Sequence, residues 1–422
     1  MINSVGFNYN SPLEKSTKGL DWSEAEIACG VQNAGLVPLE ELTEMINKIS
    51  GKKRKPKNVC SFLNKLGWSV RVKNTNKHVF AKSYLPEVFQ LPSSIMHKKV
   101  SVQLKWLINE RGKRLAFAGP YDYGLSDLTC LAYVLSNICY EREPFIVIIS
   151  PVSKQAEEML DAIKTELISN EKLQNDFSEA TGKNKRHWQS GKVITRNGIK
   201  LLAVGLNQRK HCYRYKGKKP SLIIFDNIDD GDNIDDGIED LASEYMDEMY
   251  SKFTSIVKKN CDHDTNVLAT GTISCYDSIL ARTIIDKEQP GWIVKKYGAV
   301  QSWAKNLELW NKWKSIYEGQ ESYSNEKGRS AARKFFEDHK EAMLADSRVL
   351  LPEHENYYTL MEYMLVEGDK VFASQKQNDP YNPNQGKGYF DPMERERMRR
   401  AIMALQAELE REDKSAKSKG QN

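Results

Sequence analysis

GPYDYGLS, residues 119–126, is the stretch from which the rest of this chain is read. It follows a short β-rich run at 114–118 and precedes a helical pattern that starts at Asp127. A strand, a glycine-bounded loop and a helix start form the setting in which backbone N–H groups cradle a phosphate. Gly119 and Gly124 occupy the two glycine positions of G-x-x-x-x-G-K-S/T, and Ser126 occupies the hydroxyl position, where a magnesium ligand is expected. Leu125 stands where that pattern has lysine, and Asp122 and Asp127 flank the loop. The stretch therefore has the right spacing but is electrostatically poor for a triphosphate.

Downstream, LIIFDN at 222–227 is an apolar run ending in an acid. Asp226 at such a strand end is placed to orient magnesium. The carboxylate that usually follows, to activate an attacking water, is replaced by Asn227, which cannot take a proton. The chain then runs into a tandem repeat, DNIDDG-DNIDDG, at 226–237. A calcium loop needs an oxygen ligand at its third position, and both repeats put isoleucine there (Ile228, Ile234), so calcium is rejected. The repeat reads as a solvated acidic loop, with Asp229 or Asp230 as a stand-in for the missing second carboxylate.

Around these two motifs the chain alternates short apolar runs (114–118, 144–150, 199–204, 221–225, 266–270 and 292–297) with helical stretches. The clearest helix covers 153–168, with Met159, Leu160, Ile163 and Leu167 on its inner face. Strands alternating with helices predict an α/β domain over 101–390: a mostly parallel sheet of P-loop NTPase type with helices on both faces. In such sheets ligands bind at the carboxyl ends of the strands.

A small all-α domain is predicted to precede it, at 1–72. One helix starts near Asp21, read as its N-cap, and a second covers 38–49. A third starts at Pro56, carries Val59, Phe62, Leu63 and Leu66 at helical spacing, and stops at Gly67. Its other face presents Lys57, Asn58, Ser61, Asn64 and Lys65, and the preceding loop is Lys52-Lys53-Arg54-Lys55. Residues 1–100 hold 15 Lys+Arg against 8 Asp+Glu, although the whole chain is only at +5, so an anionic partner is expected for this head. Three short helices with a basic last one fit a helix-turn-helix module, with Lys52, Lys53, Arg54, Lys55, Lys57 and Lys65 as DNA-binding residues. The plainer alternative is a helical domain whose lysines are merely solvated. Residues 73–100 read as a polar, proline-containing linker, and 391–422 as a charged C-terminal helix followed by a disordered tail. The apolar stripe of that helix is Met398, Ile402, Leu405 and Leu409.

Composition excludes other classes. The chain has 422 residues, enough for two or three domains at about 150 each. With 40% hydrophobic and 28% charged residues it is globular, and no apolar run approaches the roughly twenty residues of a membrane span. The N-terminus lacks a basic start and an apolar core, so no secretory signal is expected. Seven scattered cysteines with no C-x-x-C pair predict reduced, buried thiols in a cytosolic protein, and Cys261-Asp262-His263 lacks zinc-ligand spacing.

Taken in order, these segments resemble the large subunit of tailed-bacteriophage terminases, over roughly 100–392. The likeness rests on the 119–126 loop, the 145–150 strand with its helix, and NGIKLLAVGLNQR (197–209) leading to KPSLIIFD (219–226). It continues through VLATGT (267–272), similar to that family's coupling motif, and through VLLPE (349–353) and FASQKQNDP (372–380). The order WSEAE … KNVCSFLNKLG resembles Myb-like or SANT-like helix-turn-helix domains. The resemblance implies ATP-driven packaging of viral DNA into the procapsid, with ATP and Mg²⁺ as cofactors. Gly119, Gly124, Leu125 and Ser126 would line the nucleotide, and Ser126 and Asp226 would hold Mg²⁺. Asn227 occupies the catalytic acid's place, Arg209 would contact phosphate or DNA, and Thr270, Gly271 and Thr272 would couple hydrolysis to movement. Implied partners are double-stranded DNA, a portal protein, a small subunit, further copies in a ring and a separately encoded nuclease; no membrane is implied. The place of action would be the host cytoplasm, transiently at the procapsid portal. Too few residues follow position 390 for the family's nuclease domain, and Leu125 and Asn227 depart from its motifs. The alternative is a non-hydrolysing DNA-binding or scaffold protein on a decayed ATPase fold.

Overall fold

The computed structural model describes residues 22–65, 77–182, 188–208, 212–229, 239–284 and 291–381. Its centre is a seven-stranded sheet in the order β3-β4-β2-β5-β6-β1-β7. The strands are β1 (Arg114–Ala118), β2 (Phe145–Ser150), β3 (Lys192–Ile194), β4 (Lys200–Gly205), β5 (Leu222–Asp226), β6 (Asn266–Gly271) and β7 (Trp292–Lys296). Six of them are parallel, and β3 alone pairs antiparallel, with β4 at one edge. The six apolar runs read from the sequence are these parallel strands. The three-residue β3 is an addition too short to carry a period of its own.

Central strands β2, β5 and β6 are buried along their whole length, which is why they read as unbroken apolar runs and not as alternating ones. Successive side chains nonetheless enter different cores. Leu115, Phe117, Ile146, Ile148, Leu222, Ile224 and Leu268 join one core, whereas Ala116, Phe145, Val147, Ile149, Ile223, Phe225 and Val267 join the other. Helices cover both faces, so the molecule is α/β with a mostly parallel mixed sheet.

Before the sheet come α1 (Glu24–Asn33), α2 (Leu39–Ser50) and α3 (Pro56–Lys65), packed around Leu42, Ile46, Val59, Phe62 and Leu63. The N-cap of α1 is Ser23, not Asp21, which lies outside the described residues. Ser23 Oγ accepts from Glu26 N at 3.3 Å and Ser23 N donates to Glu26 Oε2 at 2.7 Å, a reciprocal capping box. Leu66 and the expected stop at Gly67 also lie outside.

The linker reading of 73–100 requires correction. This stretch carries α4 (Lys77–Tyr84) and the first turns of α5 (Ile95–Asn109), so a boundary at 101 would cut a helix. Val79, Phe80, Ala81, Tyr84, Met96 and Val100 are buried in the main core. The polar composition misled because Lys77 is itself buried, its ammonium 5.5 and 5.9 Å from the Tyr133 and Tyr140 ring centroids. Burial, helped by nearby Arg142, pulls its pKa down to about 7. Part of the basic surplus of 1–100 is thus internal.

After β1 a helix opens with a π-helical turn, Asp127–Ala132, and continues as α6 (Tyr133–Cys139). It is followed along the chain by α7 (Ser153–Ser169), α8 (Glu171–Asp176), α9 (Glu239–Asn260) and α10 (Ile279–Ile284). On α7, Leu160, Ile163 and Leu167 are buried as read, and Met159 is half-buried. Beyond β7, a two-stranded pair, β8 (Val300–Ser302) with β9 (Arg348–Val349), accompanies α11 (Leu307–Tyr317), α12 (Arg329–Leu344) and α13 (Tyr357–Glu367). The C-terminal helix expected after 391 lies outside the described residues. All seven cysteines are free, but only Cys29, Cys130 and Cys139 are buried; Cys212 is exposed. Among the described residues no helix is long and apolar enough to cross a membrane.

Candidate functional site

Strands β5, β6 and β1 lie side by side and end together. In register, Asp226 stands opposite Thr270, and Gly271 opposite Ala118. Their exits are stitched by backbone: Gly119 N donates to Gly271 O at 3.0 Å and Asn227 N to Thr270 O at 2.7 Å. Thr272 Oγ1 donates to Gly119 O at 3.0 Å. Across this edge Ser126 Oγ donates to Asp226 Oδ1 at 2.7 Å, joining the 119–126 loop to the end of β5. The two stretches singled out in the sequence therefore meet.

Two glycines make the approach feasible. A Cβ on Gly119 would stand 2.8 Å from Met96 Sδ, which would have to shift, and in tight contact with Leu125 Cδ2 at 3.1 Å. Gly271 has φ +155°, and a Cβ there would lie 3.0 Å from Asn227 Cα. Gly124 lies in the left-handed region, at φ +68°.

The chemistry of the edge is acidic. Burial raises the Asp226 pKa and Asp127 adds to this, while hydrogen bonds from Ser126 and Cys130 pull it back. Burial, with Asp122 nearby, also raises Asp127. Among the described residues no lysine or arginine pairs with either carboxylate. The oxygens that would hold a divalent cation here are Ser126 Oγ and the buried Asp226 carboxylate, which are bonded to each other at 2.7 Å. Such a pair suits Mg²⁺, which keeps several waters and takes one or two protein ligands plus phosphate oxygens. Among the described residues no group of three or more His, Cys, Asp or Glu converges as a fuller metal set. A cavity of about 330 Å³ opens beside the loop, lined by Val88, Phe89, Leu91, His97, Asp122 and Asp127, among others.

Several sequence assignments change. Leu125 is buried in the main core, so it offers the loop only its backbone. Asp229 is no stand-in for a second carboxylate. Its oxygens accept from Ser278 Oγ and from Leu280 N at 3.0 and 3.2 Å, capping α10 from a distant part of the chain. Burial outweighs those bonds and pushes its pKa up to about 7. Asp230, Ile234 and Arg209 lie outside the described residues. Asn227 is exposed at the rim with φ +48°, a left-handed conformation that asparagine tolerates. Thr270 lies fully buried on the Asp226 side of the sheet, and among the described residues its hydroxyl has no partner.

In the head, Lys52, Lys53, Lys55, Lys57 and Lys65 are exposed, as are Asn58, Ser61 and Asn64. Arg54 is not among them. Its guanidinium lies 3.8 Å over the Trp22 ring and pairs with Glu26 at 2.6 and 3.2 Å. Asn47 holds its backbone at both N–H and C=O. Burial works to raise the Glu26 pKa, but the hydrogen bonds and charge of Arg54, with Ser23, bring it to about 2. Arg54 is thus committed to Trp22, Glu26 and Asn47, while its lysine neighbours are exposed.

Sequence reading missed His97. Its Nδ1 faces Ser94 N at 3.2 Å and Ser94 Oγ at 2.8 Å, and its Nε2 faces the Tyr123 carbonyl at 2.8 Å. Since a carbonyl only accepts, Nε2 carries the proton. Burial lowers the pKa of the ring. The S-x-x-H spacing before an apolar run was the available signal, a capping box with histidine in the usual acid's place. No protein-family model matches the chain, and no curated protein matches it significantly.

Proposed function

We propose that this chain is a terminase large-subunit-like module: a DNA-packaging ATPase with a DNA-binding helix-turn-helix head. The observation that carries the reading is the hydrogen bond from Ser126 to Asp226, between a glycine-bounded loop after β1 and the acid ending β5. In this reading the loop's backbone N–H groups receive phosphate, and Ser126 and Asp226 hold Mg²⁺, whose charge offsets that of the phosphates. The adjoining cavity, with apolar walls from Val88, Phe89 and Leu91, has room for a nucleobase. Thr272, bonded to the loop's first carbonyl, is positioned to carry changes in the loop into β6. Double-stranded DNA, a portal, a small subunit and further copies of the chain in a ring are the partners this reading implies, acting in the host cytoplasm at the procapsid.

A second reading, a scaffold on the same fold that does not hydrolyse ATP, is favoured by Leu125 in the core and Asn227 at the rim. Each missing preorganised charge costs on the order of 10²–10³ in rate. ATP binding and hydrolysis, measured with and without duplex DNA, separate the two. The motor reading expects DNA-stimulated turnover that Asp226→Ala abolishes and Asn227→Asp raises. Neither binding nor hydrolysis at millimolar ATP leaves the scaffold. For the head, neutralising Lys52, Lys53 and Lys55 together should flatten the salt dependence of DNA binding, and an unchanged slope would remove those lysines from the interface.

A further inference from the structure

We infer that Asn378 is a positioning residue for the 119–126 loop, acting through a strap formed by residues 372–379 that crosses the carboxyl edge of the sheet. The Asn378 side chain is fully buried and bridges two strand exits. Its Oδ1 accepts from Ile273 N at 2.7 Å, just past β6, and its Nδ2 donates to Tyr297 O at 2.8 Å, just past β7. The strap backbone completes the seam. Ala299 N donates to Lys376 O at 2.7 Å, and Tyr121 N, inside the loop, donates to Gln375 O at 2.8 Å. Tyr297 N in turn donates to Ala118 O at 2.9 Å, immediately before Gly119.

The strap is itself anchored. Lys376 Nζ contacts both oxygens of Glu355 at 2.9 Å, and this pair is largely buried. The loop is thus gripped from two sides: His97 takes the Tyr123 carbonyl, and the strap takes the Tyr121 N–H. A loop that offers backbone N–H groups to a ligand needs such fixed ends, because it has no side-chain cation to organise it. The contacts stand on geometry alone; their consequence for nucleotide rests on the function proposed above.

Hydrogen exchange on the full chain tests this. Asn378 has φ +52°, so Asn378→Gly deletes both side-chain bonds without backbone strain. The variant should exchange about tenfold or more faster over 119–125, with 145–150 unchanged as the control for the fold. Asn378→Asp keeps the acceptor for Ile273 and donates to Tyr297 O only when protonated. Its loop protection, corrected for intrinsic exchange, should therefore recover as pH falls from 8 to 5, and this series decides if the glycine variant does not fold. Wild-type exchange over 119–125 in Asn378→Gly, or pH-independent protection in Asn378→Asp, overturns the assignment. If the wild type binds ATP, Asn378→Gly should weaken it by about tenfold. Should the wild type bind none while the exchange effect stands, the ATPase reading falls and the strap assignment survives.

Discussion

Ser126→Ala gives the sharpest probe of the edge where the loop meets β5. The hydroxyl donates at 2.7 Å to a carboxyl whose pKa is already raised, by burial first and by Asp127 second. A hydrogen bond to an ionised group is worth about 2 kcal/mol, and one between neutral groups about 1. A loss of 2 kcal/mol lowers Tm by about 2 °C in a protein of this size, because the unfolding entropy grows with chain length. The sign with pH follows from linkage. An acid whose folded pKa lies above its unfolded value binds protons more tightly when folded, so stability falls as pH rises between the two values. Removing Ser126 raises the folded value further, so the variant goes on losing stability over a wider range than the wild type. The difference in Tm between them should be small near pH 4 and should widen toward pH 8. Thermal unfolding of the full chain across that range measures it. A difference that stays constant with pH would mean that Ser126 does not hold the ionised carboxylate, and the reading of this edge as a cation site would fail with it.

Other outcomes follow from the same packing. Leu125→Lys, which restores the motif on paper, replaces a core leucine and should cost about 3 kcal/mol in unfolding experiments without nucleotide; undiminished stability would show that the pocket is already shaped for lysine. Arg54→Ala leaves the buried Glu26 charge with only the Ser23 N–H and should destabilise the head by about 3 kcal/mol, read as faster hydrogen exchange over α1, whereas Lys53→Ala should not. Asp229, with its pKa at about 7, costs the wild type stability as pH rises from 4 through 7. Asp229→Asn should therefore gain on the wild type by on the order of 2 kcal/mol between pH 5 and pH 8, and parallel Tm profiles would contradict the burial of that carboxylate.

Legibility varied with how local each cause was. The run before Asp226 and the glycines around 119–126 were readable because apolar runs and turn residues act within a few positions. The strap is not legible in this way, since nothing in FASQKQNDP shows that Asn378 reaches both Ile273 and Tyr297. The 73–100 stretch hides its helices because Lys77 and His97 count as polar in composition yet lie buried among aromatic rings and caps.

By itself the amino-acid order determined which segments become strands, that most of them run parallel, and which strand ends carry Gly119, Ser126, Asp226 and Thr272. Only the tertiary structure decided that Leu125 turns inward, that Arg54 serves Trp22 and Glu26, and that Asp229 caps α10. Element type follows from neighbours a few residues away, whereas the use of a side chain depends on which distant groups the fold brings within hydrogen-bonding reach.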